Sequence, residues 1–568
     1  MTVIGSLHPA AIFLAGALLA ALAGRRYGAV VVVLTPVAGF LNLLALDASV
    51  EWRVDILEYS LDFLRADRLS LLFGSLFHIA AFIGTVFALH VRDRVQHVAA
   101  LLYAGSAIGA VFAGDLIAFF LFLELAAVTS VFLIWARGTE KARAAGMRYL
   151  TIQVAAGLLF FSGVLVRIHE TGSYEFAFIG LDGLSSWLIF VALGIKCAFP
   201  GLHNWLTDAY PEATPTGVVF LSAFTTKIAV YALASAFPGT ELMVYIGATM
   251  TVFPIFLAVI ENDLRRVLCY SMINQIGFMV TGIGIGTALA INGAVSHTFA
   301  HVIYKSLLFM SMGAVLHVTG KINGSDLGGL YQTMPLTTGL CIVGAASISA
   351  FPLFSGFVSK SMVMAAALEE GHGWVWLLLL FASAGVFHHA GIKIPFFAFF
   401  ARDSGIRAAE PPPNMLAAMA IAAVLSVGIG SYPWPLYAML PYPVDYVPYD
   451  WTHVVAQTQL LLFAALAFIW LKLTGLYPPE LRSVNLDAEW VYRWLAPRAI
   501  RRVAAVGIKL DQAVRRAALD GVDAVIDAVS RNYGPRGVAA RSWPTGGATV
   551  WVAVLLAVTL VIYDWQGG

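Results

Sequence analysis

Apolar runs of about 20 residues recur along nearly the whole chain, separated by short polar segments, and each is long enough to cross a bilayer as a helix. Sixteen spans are expected, centred near residues 15, 37, 79, 104, 125, 157, 189, 225, 250, 278, 305, 343, 383, 423, 466 and 556. The run over 97–136 has a Gly114-Asp115 break and is long enough for two passes. The run over 335–370 contains Pro352, Ser355 and Gly356, which predicts an interrupted helix. The first residues, MTVIGSLHPAAIFLAGALLAALAG, lack the basic segment that opens a signal peptide and read as the first span.

Polar positions between spans alternate in charge. Loops after odd-numbered spans carry Arg25 and Arg26; Arg92 and Arg94; Arg137, Lys141, Arg143 and Arg148; Arg265 and Arg266; Lys321; and Arg402 and Arg407. The loop after span seven is the exception, with no Lys or Arg. Loops after even-numbered spans are poor in basic residues, and some are acidic, with Glu51, Asp55 and Glu58 in one and Asp445 and Asp450 in another. The positive-inside rule therefore places the odd loops in the cytoplasm and both termini outside.

One segment departs from this pattern. Over 476–546 charge rises, and Val503, Val506, Leu510, Val514, Ala518, Val522, Val525 and Val529 recur at steps of three or four. That spacing predicts an amphipathic helix ending at Gly534-Pro535, placed along a membrane face or a partner's flank.

Composition agrees with the pattern. The 568 residues are 60% hydrophobic and 12% charged, with a mean hydropathy of +0.82. Soluble domains carry roughly 25% charged residues, so the deficit points to lipid. A net charge of +1 gives no field for nucleic acid. Cys197, Cys269 and Cys341 lie in apolar stretches and read as small buried hydrophobes, with no cofactor motif around them.

Ionisable residues inside spans are costly and rare without a function. Here they recur: Glu124; Lys196; Lys227; His297, His301 and Lys305; Lys360; and His388, His389 and Lys393. Positions 297, 301 and 305 are four apart and share one helix face. Burial disfavours a charged lysine and a nearby carboxylate favours it, so a buried Lys with a movable Glu partner is a proton switch. Lys196 is followed by Pro200-Gly201, and Lys360 is preceded by Pro352 and Gly356. Broken helices recurring in two halves point to transport sites. They fall in spans seven and twelve, which gives the two halves opposite orientations. A lysine near a span end can snorkel to the headgroups, and Lys393, close to a basic end, is the weakest member of the set. Snorkelling does not account for six such residues in five helices. His78 reads as a packed, hydrogen-bonded histidine, and whether His388, His389 and Lys393 take part is left open.

These stretches resemble the proton-conducting antiporter family: the antiporter-like subunits of respiratory complex I and the A-type and D-type members of the Mrp-type Na+/H+ antiporter. Lys196 with Pro200, His203, Trp205, Asp208 and Glu212 to Pro215 resembles the seventh-helix lysine motif. TKIAVYAL resembles the eighth-helix lysine segment, and NDLRRVLCYSMINQIGFM at 262–279 resembles the family's D-L-K-R segment. HTFAHVIYKSLLFMSMGAVLH and SGFVSK resemble the eleventh-helix His/Lys segment and the twelfth-helix lysine, and Glu124 matches the fifth-helix glutamate. NLDAEWVYRW at 485–494 looks like the Mrp D-type member, whereas the amphipathic segment is more similar to the lateral helix of the largest complex I subunit.

The resemblance implies an all-α polytopic membrane protein of about 14–16 transmembrane helices, with two inverted five-helix repeats containing broken helices. It implies N-terminal helices over 1–96, a first antiporter repeat over 97–237, a second over 238–400, additional helices over 401–475, the amphipathic lateral region over 476–546 and a last span over 547–568. The implied relay runs through Glu124, Lys196, Lys227, His297, His301, Lys305 and Lys360. The implied function is proton translocation in a multisubunit Na+/H+ antiporter of a bacterial-type inner membrane, without a cofactor, among other membrane subunits; a metal site is undetermined. Alternatives are the pumping arm of a complex I-like or hydrogenase-type enzyme and an energy-coupling partner of inorganic carbon uptake.

Overall fold

The computed structural model describes residues 7–23, 25–47, 50, 52–56, 58–483 and 485–566, without the side chains of 25–27. Glu51 and the side chains of Arg25 and Arg26, which contribute to the charge pattern, lie outside the described residues. The chain divides into two units, residues 1–485 and 486–568.

Helix accounts for every expected span. The first unit contains α1 (Pro9–Leu22), α2 (Arg25–Leu44), α3 (Arg68–Phe87), α4 (Arg94–Phe112), α5 (Leu116–Trp135), α6 (Glu140–Thr171), α7 (Gly183–Lys196), α8 (Asn204–Ala209), α9 (Gly217–Ala223) and α10 (Thr225–Ala236). It continues with α11 (Glu241–Ile260), α12 (Leu264–Ile285), α13 (Ala288–Thr319), α14 (Pro335–Ile348), α15 (Ser355–Glu369), α16 (Gly373–Val386), α17 (Pro413–Ser431) and α18 (Trp451–Leu473). Among the described residues twelve helices are long and apolar enough to cross a membrane, and four expected spans fall on apolar helices of 10–17 residues. Two of those shorter helices, α7 and α14, are the first halves of interrupted spans.

Local chemistry sets the boundaries. The Asp115 side chain accepts from the amides of Ile117 and Ala118, so the Gly114-Asp115 break is the N-cap of α5. Asp263 caps α12 in the same way, accepting from Arg265 N and Arg266 N. One departure from an all-helical chain is a small antiparallel hairpin, Arg53–Ile56 with Tyr59–Asp62. Its sequence alternates apolar and polar residues outside the spans, which is strand periodicity rather than helical.

The two interruptions share a backbone. Ala198 and Ala350, with φ of 64° and 56°, each open an Ala-Phe-Pro tripeptide, and the residue after each proline also has positive φ, Gly201 at 79° and Leu353 at 74°. The three described non-glycine residues with positive φ all sit at these two breaks. Left-handed backbone costs an L-residue about 1–2 kcal/mol, and such strain collects at functional sites.

Helices α12 and α13 are the most enclosed, with almost every side chain buried. Tight glycine contacts seat α12 against α11: a Cβ on Gly277 would come 2.6 Å from Gly247 O. Close approach through small residues is how helices pack without a hydrophobic driving force between them.

The second unit holds α19 (Ala496–Tyr533) and α20 (Thr545–Gln566). Helix α19 carries the expected apolar stripe and ends at Gly534. Helix α20 is the last apolar span.

A buried row of lysines and histidines

The site begins at α5 and α7. Lys196 is the last residue of α7, 1% exposed, and its ammonium lies 3.9 Å from Glu124 Oε1 on α5. It donates to the main-chain oxygen and to the side-chain Oε1 of Gln153 on α6, both at 3.2 Å. Gly157, one turn further along α6, leaves the space that the Glu124 carboxylate fills, since a Cβ there would overlap it. The glutamate side chain keeps 22% of its surface exposed while its lysine is enclosed.

The polar residues after the break are tied to arginines. Arg148 makes a bidentate pair with Asp208 at 2.7 and 3.0 Å, and Arg137 pairs with Glu212 at 3.2 Å. Arg265, fully buried, donates to the carbonyls of Tyr210, Ala213 and Thr214 at 3.2, 2.9 and 3.4 Å. The arginine of the D-L-R-R segment therefore fixes the E-A-T-P loop.

Lys227 lies just past a third interruption, at Phe224 between α9 and α10. Its ammonium donates to Ser222 O at 2.8 Å and Thr226 Oγ1 at 3.0 Å, with no carboxylate beside it among the described residues. His297, His301 and Lys305 line one face of α13 and are wholly buried. His297 Nδ1 is 3.0 Å from Ser359 Oγ, and Lys305 donates to Ser271 on α12. Neither ring nitrogen of His301 has a hydrogen-bond partner among the described residues. It sits within electrostatic reach of Lys227, Lys305, His297 and Lys360, so it stands at the centre of the row. Lys360, on α15, donates 3.1 Å to Ile348 O, the last residue of α14, with Phe278 5.1 Å from its ammonium. The second lysine thus bonds the carbonyl end of the helix half that precedes its own.

The seven sequence-derived residues lie on α5, α7, α10, α13 and α15, and all but the partly exposed Glu124 are buried. His78 is packed as expected, with Nδ1 2.7 Å from Gly74 O. The three cysteines are free and buried. Sequence reasoning missed Gln153, whose signal was one amide in the apolar run of α6, and it did not single out Ser271 and Ser359, although they lie within the NDLRRVLCYSMINQIGFM and SGFVSK motifs. It also missed Glu480, 2.9 Å from Lys393, because Glu480 reads as an ordinary loop residue.

The fold is a many-spanning helical membrane protein with interrupted helices and several enclosed cations and imidazoles. The family described as NADH:quinone oxidoreductase/Mrp antiporter, transmembrane, matches residues 113–386. The N component of the NADH-quinone oxidoreductase of Desulforudis audaxviator is 31% identical over 361 residues, covering 58% of this chain and 72% of that protein. The chain belongs to this family. The D component of the Na(+)/H(+) antiporter of Alkalihalophilus pseudofirmus is 31% identical over 309 residues, 50% of this chain and 62% of the relative. The A/B component of a probable K(+)/H(+) antiporter of Rhizobium meliloti is 33% identical over 362 residues, 58% of this chain and 36% of the relative. This chain thus spans only part of several curated relatives. A chain of the Mrp complex from Dietzia sp. superposes with a TM-score of 0.70 at 21% identity, covering 83% of this chain and all of that one. A chain of the archaeal membrane-bound sulfane sulfur reductase gives 0.71 at 19%, covering 98% and 99%.

Proposed function

We propose that this chain is the proton-translocating subunit of a multisubunit monovalent-cation (Na+)/H+ antiporter in a bacterial-type inner membrane. The observation that carries it is the Glu124–Lys196 pair, 3.9 Å apart at the end of an interrupted helix, with the lysine enclosed and the glutamate half-open. A close carboxylate holds a proton on the lysine, and withdrawing it releases the proton. Lys227 receives that proton, His297, His301 and Lys305 relay it, and Lys360 delivers it to the far side. His301, buried with two unpartnered nitrogens, accepts or donates a proton without first breaking a hydrogen bond to the protein.

The repeated Ala-Phe-Pro break supports two antiporter repeats, over 97–237 and 238–400, between N-terminal helices over 1–96 and additional helices over 401–475. The lateral region over 476–546 and a last span over 547–568 complete the organisation. The assembly includes other membrane subunits, as in the complexes of the relatives.

A second reading, the pumping arm of a complex I-like or hydrogenase-type enzyme, is favoured by one observation: the archaeal respiratory chain matches the fold over 98% of this protein. Purification of the native complex in mild detergent, followed by mass spectrometry, separates the two. Small hydrophobic Mrp-type companions support the antiporter; iron–sulfur or hydrogenase companions overturn it in favour of the redox arm.

A further inference from the structure

The relay through α5, α7, α10, α13 and α15 leaves one buried cluster unused. Helix α16 runs on into two π-helical stretches, Phe387–Ile392 and Phe396–Phe400. Wide turns of this kind inside helices are frequent at functional sites. Gly391 lets the first stretch press against Ser349 at the break after α14, since a Cβ at 391 would overlap the Ser349 hydroxyl. The turn carries His388, His389 and Lys393.

Lys393 is enclosed and donates to the carbonyls of Ala258, Val259 and Glu261 at 3.3, 2.7 and 2.7 Å, at the C-terminal end of α11. Such a cap satisfies carbonyls that the helix leaves unpaired. Capping does not require a fourth partner, yet the Glu480 carboxylate lies 2.9 Å away with 6% of its side chain exposed. Nor does capping explain His389, which is fully buried with only the Gly385 carbonyl of its own helix beside its ring. Leaving buried polar atoms unpaired is costly. His388, Lys305 and Lys393 all act on His389 electrostatically. Glu480 also lines a cleft of about 700 Å³ that includes Asp326, Arg402, Asp403 and Lys472. Its walls come from the loops after α13, after the π-helical stretches and after α18, all of which the charge pattern places in the cytoplasm.

We propose that Glu480, Lys393 and His389 form a lateral proton branch joining this cytoplasmic cleft to Lys305; the proposal rests on the relay reading. A proton taken from the cleft by the Glu480 carboxylate passes to Lys393 as Lys393 gives its own to His389, and His389 passes that proton to Lys305. Each hop moves one proton and leaves the donor ready for the next. The other titratable groups facing the pair are Glu261, whose Oε2 accepts from Asn485 at 3.1 Å, and Lys472, whose ammonium lies over the Phe397 and Tyr477 rings at 4.9 and 5.0 Å. His388 and Tyr477 lie beside them, their rings tilted by 50° with centroids 5.5 Å apart. Burial pushes the Glu480 carboxyl above the ordinary range and Lys393 draws it partly back, which suits a group that must both take up and release a proton.

The test uses everted vesicles containing the whole complex, cytoplasmic face outward, with proton movement followed by a pH-sensitive dye after a Na+ pulse. His389→Ala is expected to slow exchange at least about tenfold with assembly intact, and added imidazole is expected to restore it. An unchanged rate, or a loss that imidazole does not restore in an assembled complex, overturns the branch. Should His389→Ala fail to assemble, Glu480→Gln decides: it keeps a polar contact with Lys393 but carries no proton, and a wild-type rate overturns the branch. Glu124→Gln is measured alongside. A dead Glu124→Gln beside wild-type branch variants overturns the branch alone, and full activity in all of them overturns the relay as well.

Discussion

At the scale of single residues, the account turns on how closely Lys196 is held. Gln153 offers it two oxygens at 3.2 Å and Glu124 a third at 3.9 Å. Replacing Gln153 by Leu leaves the enclosed ammonium with the main-chain oxygen of 153 and a more distant carboxylate. Transport measured in vesicles is predicted to fall at least about tenfold, since a charge-assisted hydrogen bond contributes about 1.5–3 kcal/mol. Gly157→Ala is a sharper probe, because the added methyl occupies the place of the Glu124 carboxylate without changing any charge. It is predicted to impair exchange as strongly as Glu124→Gln, with normal amounts of assembled complex on a native gel. The seven residues of the proposed relay stand out in the sequence because charge inside an apolar run is rare. Gln153 and Gly157 do not, because one amide and one glycine in a helix are ordinary until the neighbouring helix is in place. Glu480 was hidden for a different reason: its burial depends on a loop folding back against the π-helical turn.

At the scale of elements, the interruptions are where sequence and structure speak most directly to each other. Proline and glycine beside Lys196 and Lys360 predicted both breaks, yet proline alone does not specify left-handed backbone at Ala198 and Ala350. The two Ala-Phe-Pro tripeptides gain meaning only once their backbones prove alike. Gly201, with φ of 79° and open space around its missing Cβ, carries no steric contact to lose. Gly201→Ala is therefore predicted to lower stability by about 1 kcal/mol through backbone strain alone, measurable as a shift in detergent-denaturation midpoint. Gly277→Val tests the α11–α12 seam, where a side chain would meet the Gly247 carbonyl at 2.6 Å. Forcing those helices apart is predicted to prevent accumulation of the protein, read as loss of the band on an immunoblot. The π-helical turns and the Phe224 interruption were not legible, because their sequences read as uninterrupted helix.

At the scale of the whole molecule, the span pattern and the charge of the loops carried most of the architecture, since a bilayer leaves few ways to satisfy the backbone. The hairpin at 53–62 escaped that logic because it lies outside the spans. The loops also carry ties of their own. Arg482 bonds Asp326 at 2.7 Å and holds its carboxyl below the usual range. Because the folded value is depressed, this contribution is present above the ordinary carboxylate value of about 3.9 and is lost as pH falls through the lowered one. Asp326→Asn is predicted to flatten the acid side of the stability curve, checked by thermal unfolding across a pH series.

The central claim is that protons cross this protein by way of Glu124 and Lys196. The direct measurement is dye-reported, Na+-driven proton movement in everted vesicles carrying the intact complex, comparing wild type with Glu124→Ala and Lys196→Ala at equal assembly. The account predicts robust exchange in the wild type and none in either variant. Normal exchange in both variants would contradict it.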